Sequence, residues 1–412
     1  MRIRKKYLFY VIAFTSAIIA AVVSGIDAYV TREIIPDPWA FGLAIFLTGI
    51  VITLLLGLFL SLPFKNRSLG SIIDPSFRRL RMVHRSEVKY HVMAGLGNAG
   101  MTIAYFYLLE LIGDPAVVLP FSQMAILYLI IVEAFSEKNI PTLVEIQSAV
   151  IVTFGAVLGS LSLSGSLNLD ALLVVFIVIN PCWVLLSIYQ RKLKILKVKN
   201  QSNDAINIRF WNVVFSLGFT AAIILVYDFL FHSSHFYDGV IASVTQFHWV
   251  TLVMIFTFFE FVLYIRALGI GKASVTQAVR ASIIIFAIPV SLALAVLGII
   301  APLTADPALI LIKVIGITLI ILGLVSYALT LVKAYLFITL KPGYDIEEVM
   351  DQLWQIRGVT RVTAVAGPYD FIVKIRTRTL VQGYEKIIRK IKDITAIQEY
   401  TWQSVLKEWE DI

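Results

Sequence analysis

The stretch LYIRALGIGKASVTQAVRASIIIFAIPV, residues 263–290, predicts the end of one apolar helix, a tight glycine turn and most of a second apolar helix. An earlier stretch, YFYLLELIGDPAVVLPFSQMAILYLII at residues 105–131, follows the same plan, with Gly113 in the place of Gly271. Self-similarity within a chain indicates a repeated structural unit. Two such copies predict two related halves, an organisation found in many transporters.

The composition places the chain among membrane proteins. Of its 412 residues, 59% are hydrophobic and 15% charged, and the mean hydropathy is +0.85. Ordinary soluble domains are about 45–50% apolar and about 25% charged. The single cysteine, Cys182, lies inside an apolar run, which excludes an intrachain disulfide and a cysteine-based metal site.

Apolar runs long enough to cross a bilayer, which needs about 20 residues, occur ten times. The predicted spans are residues 7–30, 39–64, 88–112, 115–136, 141–163, 169–190, 208–231, 247–268, 273–299 and 307–333. The sequence therefore predicts a polytopic α-helical membrane protein with ten transmembrane helices.

Lysine and arginine predict how the spans are oriented. Twenty of these residues lie in the amino-terminal segment and in every second connection, whereas the intervening connections hold only Arg32. Short cytoplasmic loops carry the excess of positive charge. Both ends of the ten-span unit are therefore expected on the cytoplasmic side of the plasma membrane. The remaining connections, residues 161–167, 232–245 and 301–306, are short, serine-rich or acidic.

Five spans per half is an odd number, so the second half enters the membrane from the opposite side to the first. The two repeats, residues 1–165 and 166–333, are therefore predicted to be inverted. In transporters with inverted repeats the substrate site lies near the midplane between the halves, and access alternates between the two sides.

The ten spans resemble the EamA-like branch of the drug/metabolite transporter superfamily. In each half an aromatic-rich helix, a glycine-containing turn and a helix with a polar residue at mid-membrane carry this resemblance. It implies a transporter fold over about residues 5–333. The glutamate that often ends the fourth helix in that family corresponds to Glu133, but the ninth span has no partner for it. About ten extra residues, 301–310, also separate the last two spans.

A polar or ionisable side chain inside the bilayer is a functional hypothesis by default, because its burial is costly. The candidate substrate-binding residues are Asn98, Gln123, Asn180, Glu260, Tyr264, Gln277 and Arg280. Glu260 and Glu133 are the candidates for proton coupling. Asp27, Glu110, Asp228 and Lys313 lie near the outer face, where they can reach water, and are assigned no chemistry.

Several of these candidates also have a structural interpretation. Glu260 and Arg280 can form an ion pair that holds two helices together, and this is compatible with substrate binding. Asn98, in GLGNAG, can make a packing hydrogen bond between close helices. The pair Asn180-Pro181 breaks its helix, either as a simple kink or to expose backbone at a binding site.

The basic connection at residues 70–86 has apolar residues at helical spacing among four arginines. It is predicted either to lie on the inner membrane surface as an amphipathic helix or to be a solvated basic loop.

After residue 333 the composition becomes that of a soluble domain. Strands are predicted at residues 334–340, 359–366, 369–376 and 395–406, with helices whose apolar faces begin at Ile346 and Leu380. The order βαββαβ is the ferredoxin-like motif, so the expected fold class of residues 334–412 is α+β.

The sequence IRGVTRVTAVAGPYDFIVKI, residues 356–375, resembles the effector-binding domain of Lrp/AsnC regulators. The resemblance implies a domain that dimerises or assembles further and binds a small amino acid near the hairpin, at Gly367, Tyr369 and Asp370. The helix-turn-helix of that family is replaced by the membrane unit, so nucleic acid is not an expected partner. The alternative is a fixed dimerisation module in which Asp370 caps the turn.

Together these patterns predict a secondary transporter, with export favoured, of small polar metabolites such as amino acids. Its cytoplasmic domain would sense an amino-acid-like effector. The alternatives are a membrane-anchored sensor that transports nothing and a lipid flippase of the same superfamily. No Ser/His/Asp grouping, phosphate-binding loop or histidine pair is found, so no enzyme activity, metal or cofactor is expected.

Overall fold

The computed structural model of the chain describes residues 5–65, 67–112, 125–136, 173–198, 201–271, 273–297, 332–356, 358–377 and 387–404, with short helical pieces between residues 147 and 158 and between 308 and 323. These residues divide into two compact units. One comprises Met1–Asn139 and Ala149–Leu322, and the other comprises Ile140–Ser148 and Gly323–Ile412.

The larger unit is helical. Its helices are α1 (Lys5–Tyr29), α2 (Pro38–Leu60), α3 (Arg85–Ile112), α4 (Ala125–Ser136), α5 (Asn180–Ile195), α6 (Ala205–Phe231), α7 (His235–Thr245), α8 (Phe247–Ile270), α9 (Ala273–Arg280) and α10 (Ile283–Val296). Wider π-helical turns end α1, at Val30–Ile34, and precede α5, at Val174–Ile179.

Within the described residues, six helical segments are long and apolar enough to cross a membrane: Leu8–Ile34, Pro38–Leu60, Arg85–Leu111, Val174–Ile195, Ala205–Phe231 and Phe247–Ile270. They coincide with six of the predicted spans and are consistent with membrane insertion. The other four predicted spans are described only in part. The number of ten spans and the inverted repeat therefore stay predictions.

Side-chain caps explain where two of these helices begin. Asp37 precedes Pro38, and its Oδ1 accepts a hydrogen bond from the backbone N–H of Trp39 at 2.9 Å. Asp204 likewise accepts from the backbone N–H of Asn207 at 2.7 Å at the start of α6. Aspartate before the first turn satisfies N–H groups that have no partner within the helix.

The connection at residues 232–245, predicted among the short, serine-rich or acidic ones, contains helix α7. Gly239 of α7 lies against α2, where a Cβ added to it would stand 2.9 Å from the Cβ of Leu43. The small residues Gly239 and Ala242 thus provide a flat face on which α7 packs. A helix of this length is too short for a hydropathy search to detect.

Helix α3 packs closely against α5 and α6. A Cβ at Gly97 would lie 2.6 Å from the carbonyl oxygen of Cys182 on α5, and one at Gly95 would lie 2.7 Å from the Cβ of Phe215 on α6. Glycines at such contacts let helix backbones approach each other, as in other membrane helix pairs.

The basic connections meet at one end of the helical unit. Lys194 at the end of α5 forms an ion pair with Asp74 at 2.6 Å, and Arg191 donates to the carbonyl of Gly271 at 3.1 Å. Arg266 donates to the carbonyl of Ile73. The described connections that are predicted to lie on the cytoplasmic side therefore lie at one end of the helical unit.

Of the two alternatives for residues 70–86, the amphipathic helix is wrong. Only a short 3₁₀ turn, Leu69–Ile72, forms before α3 begins at Arg85. Phe77 is buried against the helices instead of lying free for lipid, whereas Arg78 and Arg79 are exposed to solvent. Burial of Phe77 in protein removes the apolar face that a surface helix would need.

The smaller unit contains β1 (Val332–Leu340), α11 (Ile346–Trp354), β2 (Val359–Ala364), β3 (Phe371–Thr377), a helical segment at residues 387–392 and β4 (Ile397–Ser404). The strands form one antiparallel sheet in the order β2-β3-β1-β4. The predicted βαββαβ order is confirmed for the described residues. Gly358, at φ +92°, provides the left-handed turn between α11 and β2.

One face of this sheet forms the core of the unit. Ala334, Leu336 and Ile338 of β1 and Phe371, Val373 and Ile375 of β3 are buried beneath α11 and residues 387–391. Because strand side chains alternate, Tyr335, Phe337 and Ile372 lie on the opposite face, where they are only partly buried.

Candidate functional site

The centre of the candidate site is a buried ion pair. Glu260 lies on α8 and Arg280 is the last residue of α9, and each is only 4% exposed. Arg280 Nη2 contacts Glu260 Oε1 directly. The predicted pair is therefore present, and each member compensates the charge of the other inside an apolar helical unit.

Aromatic rings surround the guanidinium group of Arg280. Its Cζ lies 4.9 Å from the ring centre of Trp183, 4.8 Å from that of Tyr264 and 5.9 Å from that of Phe261. Such contacts attract a cation through the electron-rich ring face. They fix the position of Arg280 without using all of its N–H donors, and its Nε has no hydrogen-bond partner among the described residues.

Tyr264 and Gln277 join three helices at this site. The hydroxyl of Tyr264 lies 2.7 Å from Ser187 Oγ of α5 and donates to Gln277 Oε1 of α9 at 3.3 Å. The structure therefore brings together four of the predicted substrate-binding residues, with Ser187 as a fifth member that the sequence did not indicate. Ser187 could have been noticed because it lies one turn from Trp183 on α5, before the basic residues that end this helix.

Asn180 lies where the helix is irregular. A π-helical segment ends at Ile179, and Pro181 follows Asn180 at the start of α5. The side chain of Asn180 is fully buried, and neither of its amide atoms has a hydrogen-bond partner among the described residues. The carbonyl of Phe176 in the same segment accepts from the hydroxyl of Tyr128 at 3.0 Å. Buried polar atoms without partners are rare in proteins and mark places where water or a ligand is bound.

Arg209 was not among the predicted site residues. It lies on α6, is 2% exposed, and its Cζ stands 4.2 Å from the ring centre of Phe261. In the sequence it falls at the end of the basic connection 191–209, where a positive charge indicates membrane orientation and not a binding site. Its place after the cap residue Asp204, inside the first turns of an apolar run, is the signal that distinguishes it.

Two neighbouring amides extend this cluster. Gln190 Nε2 donates to Asn212 Oδ1 at 3.5 Å, and both side chains are fully buried. Gln190 Oε1 and Asn212 Nδ2 have no partners within the described part of the chain. Asn212 lies one helical turn from Arg209, on the same side of α6.

Of the other predicted residues, Asn98 is linked to Asn212 through Ser216, whose Oγ donates to the carbonyl of Asn212 at 2.7 Å. Asn98 Nδ2 donates to Ser216 Oγ at 2.8 Å, at the contact between α3 and α6. Gln123 lies outside the described residues, and the side chain of Glu133, on α4, is not described either. Within the described ranges, no three His, Cys, Asp or Glu residues are close enough to hold a metal ion.

A second polar cluster lies at the basic end of the helical unit. Burial raises the pKa of the Asp74 carboxyl, but Lys194 and the N–H groups of Ala205 and Ser76 more than offset this and leave it below its ordinary value. Burial raises the pKa of Asp204 to about 6, because hydrogen bonds from Asn207 offset only part of the desolvation. The pKa values of two nearby carboxyls are thus shifted in opposite directions.

The hairpin of the smaller unit is held by Asp370. Its Oδ2 accepts from the backbone N–H of Leu340 at 2.7 Å, and its own N–H donates to the carbonyl of Ile338 at 2.9 Å. The ring of Tyr369 lies 5.1 Å from that of Phe337, and Gly367 is exposed. The Asp370 carboxylate therefore ties the hairpin to β1, and the capping of the turn that the structural interpretation expected stays a prediction. Binding of a ligand at these three residues stays a prediction.

Residues 333–411 match the family model of the Lrp/AsnC ligand binding domain. The C-terminal segment is an Lrp/AsnC ligand-binding domain. This confirms the resemblance seen in residues 356–375, and such a domain implies binding of a small-molecule effector and often oligomerisation. The match does not extend over the helices, where the resemblance to EamA-like transporters stays a prediction.

Two further comparisons concern the whole chain. No curated protein matches it. A solved structure titled "Crystal structure of protein" is 16% identical, with 78% of this chain and 98% of that chain covered and a TM-score of 0.45.

Proposed function

We propose that the chain is a membrane carrier for small polar metabolites such as amino acids, with its activity regulated by the Lrp/AsnC domain. The observation that carries this proposal is the buried cluster of Ser187, Glu260, Tyr264, Gln277 and Arg280 within an apolar helical unit. Asn180 lies about two turns before Ser187 on α5. A set of helices that only anchored a sensor would have no use for buried ionisable groups, which are costly in a bilayer.

The chemistry of the cluster suits a zwitterionic or anionic metabolite. A guanidinium held by one carboxylate and three aromatic rings still has donors for a second carboxylate. The amide of Asn180, which has no partner among the described residues, offers both a donor and an acceptor. Glu260 is the carboxylate that would bind and release a proton during transport. With Glu133, it is the candidate for coupling export to a proton gradient.

Helix packing supports the proposed inverted repeat. Under that repeat α1 corresponds to α5, and α3 corresponds to α8. The two largest helix contacts in the described chain join α1 to α8 and α3 to α5, and exchanging the repeats converts each pair into the other. This symmetry suits alternating access, in which one half moves against the other about a central site.

The proposed location is the plasma membrane, with both termini in the cytoplasm. The support is the gathering of the basic connections at one end of the helical unit, around Asp74, Lys194 and Gly271. Lysine and arginine concentrate in the short loops on the cytoplasmic side of a membrane.

The Lrp/AsnC domain would regulate the carrier as a dimer. The sheet face that carries Tyr335, Phe337 and Ile372 is only partly buried, which suits pairing with a second copy. An effector at Gly367, Tyr369 and Asp370 would shift the carrier between its two states only if its affinity differs between them.

Counterflow into proteoliposomes tests the proposal. Vesicles containing the full chain are loaded with a mixture of unlabelled amino acids, and uptake of each labelled compound is compared with protein-free vesicles. A carrier accumulates at least one labelled compound transiently, whereas a sensor that transports nothing accumulates none. A lipid flippase would instead move a labelled lipid between leaflets without amino-acid flux, and either of these results would contradict the proposal.

The regulatory part has its own test. Asp370→Asn and Tyr369→Ala in the full chain should abolish any response of the flux to an effector amino acid added on the cytoplasmic side, while the basal flux persists. If the response is unchanged in both variants, the effector does not act at this hairpin.

A further inference from the structure

The buried charges of the helical cluster do not balance. Glu260 compensates Arg280, but Arg209 has no carboxylate partner among the described residues. Its Nε and Nη1 are buried and make no hydrogen bond to any described residue. A buried cation without a compensating anion is strongly disfavoured, so a group that supplies negative charge is expected beside it.

Phe261 places Arg209 in the same site as the ion pair. The guanidinium carbon of Arg209 lies 4.2 Å from the ring centre of Phe261, and that of Arg280 lies 5.9 Å from the same centre. The two guanidinium carbons therefore cannot be further apart than the sum of these distances. Their separation is therefore within the length of one small molecule.

Two buried amide atoms near Arg209 also have no hydrogen-bond partner among the described residues. Asn212 Nδ2 and Gln190 Oε1 are buried without hydrogen bonds to the described residues, although their other amide atoms contact each other. Asn212 is one turn along α6 from Arg209. Two guanidinium nitrogens and one amide nitrogen, none with a partner among the described residues, form a set of donors suited to the two oxygens of a carboxylate.

We propose that Arg209 is the residue that binds the carboxylate of the transported molecule, with Asn212 as a second donor. The substrate class is then a small carboxylate-bearing compound, and its amide or ester is excluded. Arg280 remains paired with Glu260 and lies at the other side of the bound molecule. This inference rests on the proposed function, and it adds the chemical class of the substrate and the residue that selects it.

The stability of the empty protein separates this role from a structural one. A structural arginine would stabilise the fold, so its replacement would lower the thermal midpoint. An uncompensated buried cation is a cost to the empty protein, so Arg209→Gln should leave the midpoint unchanged or raise it. Arg78→Gln, which removes an exposed arginine from the basic connection, is the control for loss of one positive charge.

Ligand stabilisation tests the proposal without requiring transport. The full chain in detergent is heated with L-leucine, L-aspartate or succinate, each beside the amide in which every carboxylate is replaced. At least one carboxylate should raise the thermal midpoint of the wild type and of Arg78→Gln, and its amide should not. In Arg209→Gln the apparent affinity should fall roughly tenfold to a hundredfold, the effect of losing a charged hydrogen-bond partner.

Each result decides the matter. A midpoint shift of equal size in the wild type and Arg209→Gln, an amide as effective as its acid, or no shift with any compound would overturn the role of Arg209. A carboxylate-dependent shift that requires Arg209, in a protein that shows no counterflow, would retain the binding site while refuting the carrier. Counterflow that persists at the wild-type level in Arg209→Gln would retain the carrier while refuting this site.

Discussion

Glu260 and Arg280 depend on each other because both are buried. Glu260→Gln removes the carboxylate and leaves the guanidinium uncompensated, which should lower the free energy of unfolding by roughly 3–5 kcal/mol. Thermal unfolding of the purified chain in detergent measures the loss. The double variant Glu260→Gln with Arg280→Gln should recover much of it, because it buries no charge.

Transport by the same double variant separates the two interpretations of the pair. If the double variant is stable and its flux is normal, the pair is only structural, and Glu260 does not couple a proton. A stable double variant without flux supports a part in binding or coupling. If Glu260→Gln alone unfolds no more easily than the wild type, the ion pair does not contribute as described.

Asp204 gives the basic end a pH dependence. Its pKa of about 6 exceeds the ordinary 3.8, so the folded state binds the proton more tightly than the unfolded state. The resulting stabilisation is complete below pH 3.8 and is lost as the pH rises through about 6. Between about pH 5 and pH 7.5 the wild type should lose roughly 1 kcal/mol through this group, whereas Asp204→Asn, which keeps a capping oxygen, should not.

Asp74→Asn is the matched control, because Asp74 has a lowered pKa. Its stabilisation is fully present above pH 3.8 and is lost only at lower pH, so the variant should be less stable at both pH values. Most of the change in unfolding free energy with pH should remain in Asp74→Asn, since burial is the main cause of the high pKa of Asp204. Equal slopes in the wild type and Asp204→Asn would contradict this assignment.

The residues of the candidate site could be predicted from the sequence only in part. Charges inside apolar runs are visible in any sequence, which is why Glu260 and Arg280 could be predicted. The role of Arg209 depends on contact with Phe261 on another helix, and that of Ser187 on contact with Tyr264. Which helices touch is set by long-range packing, and hydropathy carries no information about it.

At the level of elements, the packing of α3 gives a direct prediction. Gly97→Ala should lower the free energy of unfolding by roughly 1–3 kcal/mol, because the added methyl group would meet a backbone carbonyl on α5 that cannot rotate away. Gly218→Ala on α6 is the control, since nothing lies within 4 Å of its Cβ position. The control should be neutral or stabilising by up to about 1 kcal/mol. Thermal midpoints that fall equally in both variants would contradict the close contact.

The elements themselves could be predicted to different degrees. The six long helices and the strand order of the C-terminal unit follow from hydrophobic runs and alternation, which burial imposes directly. Helix α7 and the docked connection at residues 73–84 could not be predicted. Both are held by tertiary contacts, Gly239 against Leu43 in the first case and the buried Phe77 in the second.

At the level of the whole molecule, the exposed sheet face predicts a dimer. Phe337→Glu places a charge on the face opposite the domain core and should convert a dimer of the full chain into monomers. Trp354→Glu changes an exposed aromatic residue on α11 and should leave the dimer intact. Light scattering in detergent gives both masses. Dimers in both variants would assign the contact to another surface.

The division into an apolar helical unit and a small α+β domain could be predicted, because the composition changes sharply after residue 333. The identity of the C-terminal domain followed from a short hairpin sequence and is confirmed by the family match. The proposed substrate site could not be predicted in the same way. It depends on atoms such as those of Asn180 that have no partner among the described residues, and these become visible only when neighbouring helices are in place.

Labelling of a cysteine at position 180 tests most directly whether the proposed substrate site opens to both sides of the membrane. In a Cys182→Ala background, Asn180→Cys in oriented vesicles is treated with a membrane-impermeant thiol reagent from one side or from the other. Alternating access predicts modification from each side, while Ile177→Cys, at an exposed position on the same segment where lipid is expected, stays unmodified. Modification of Asn180→Cys from neither side, or from one side only, would contradict a carrier built around this site.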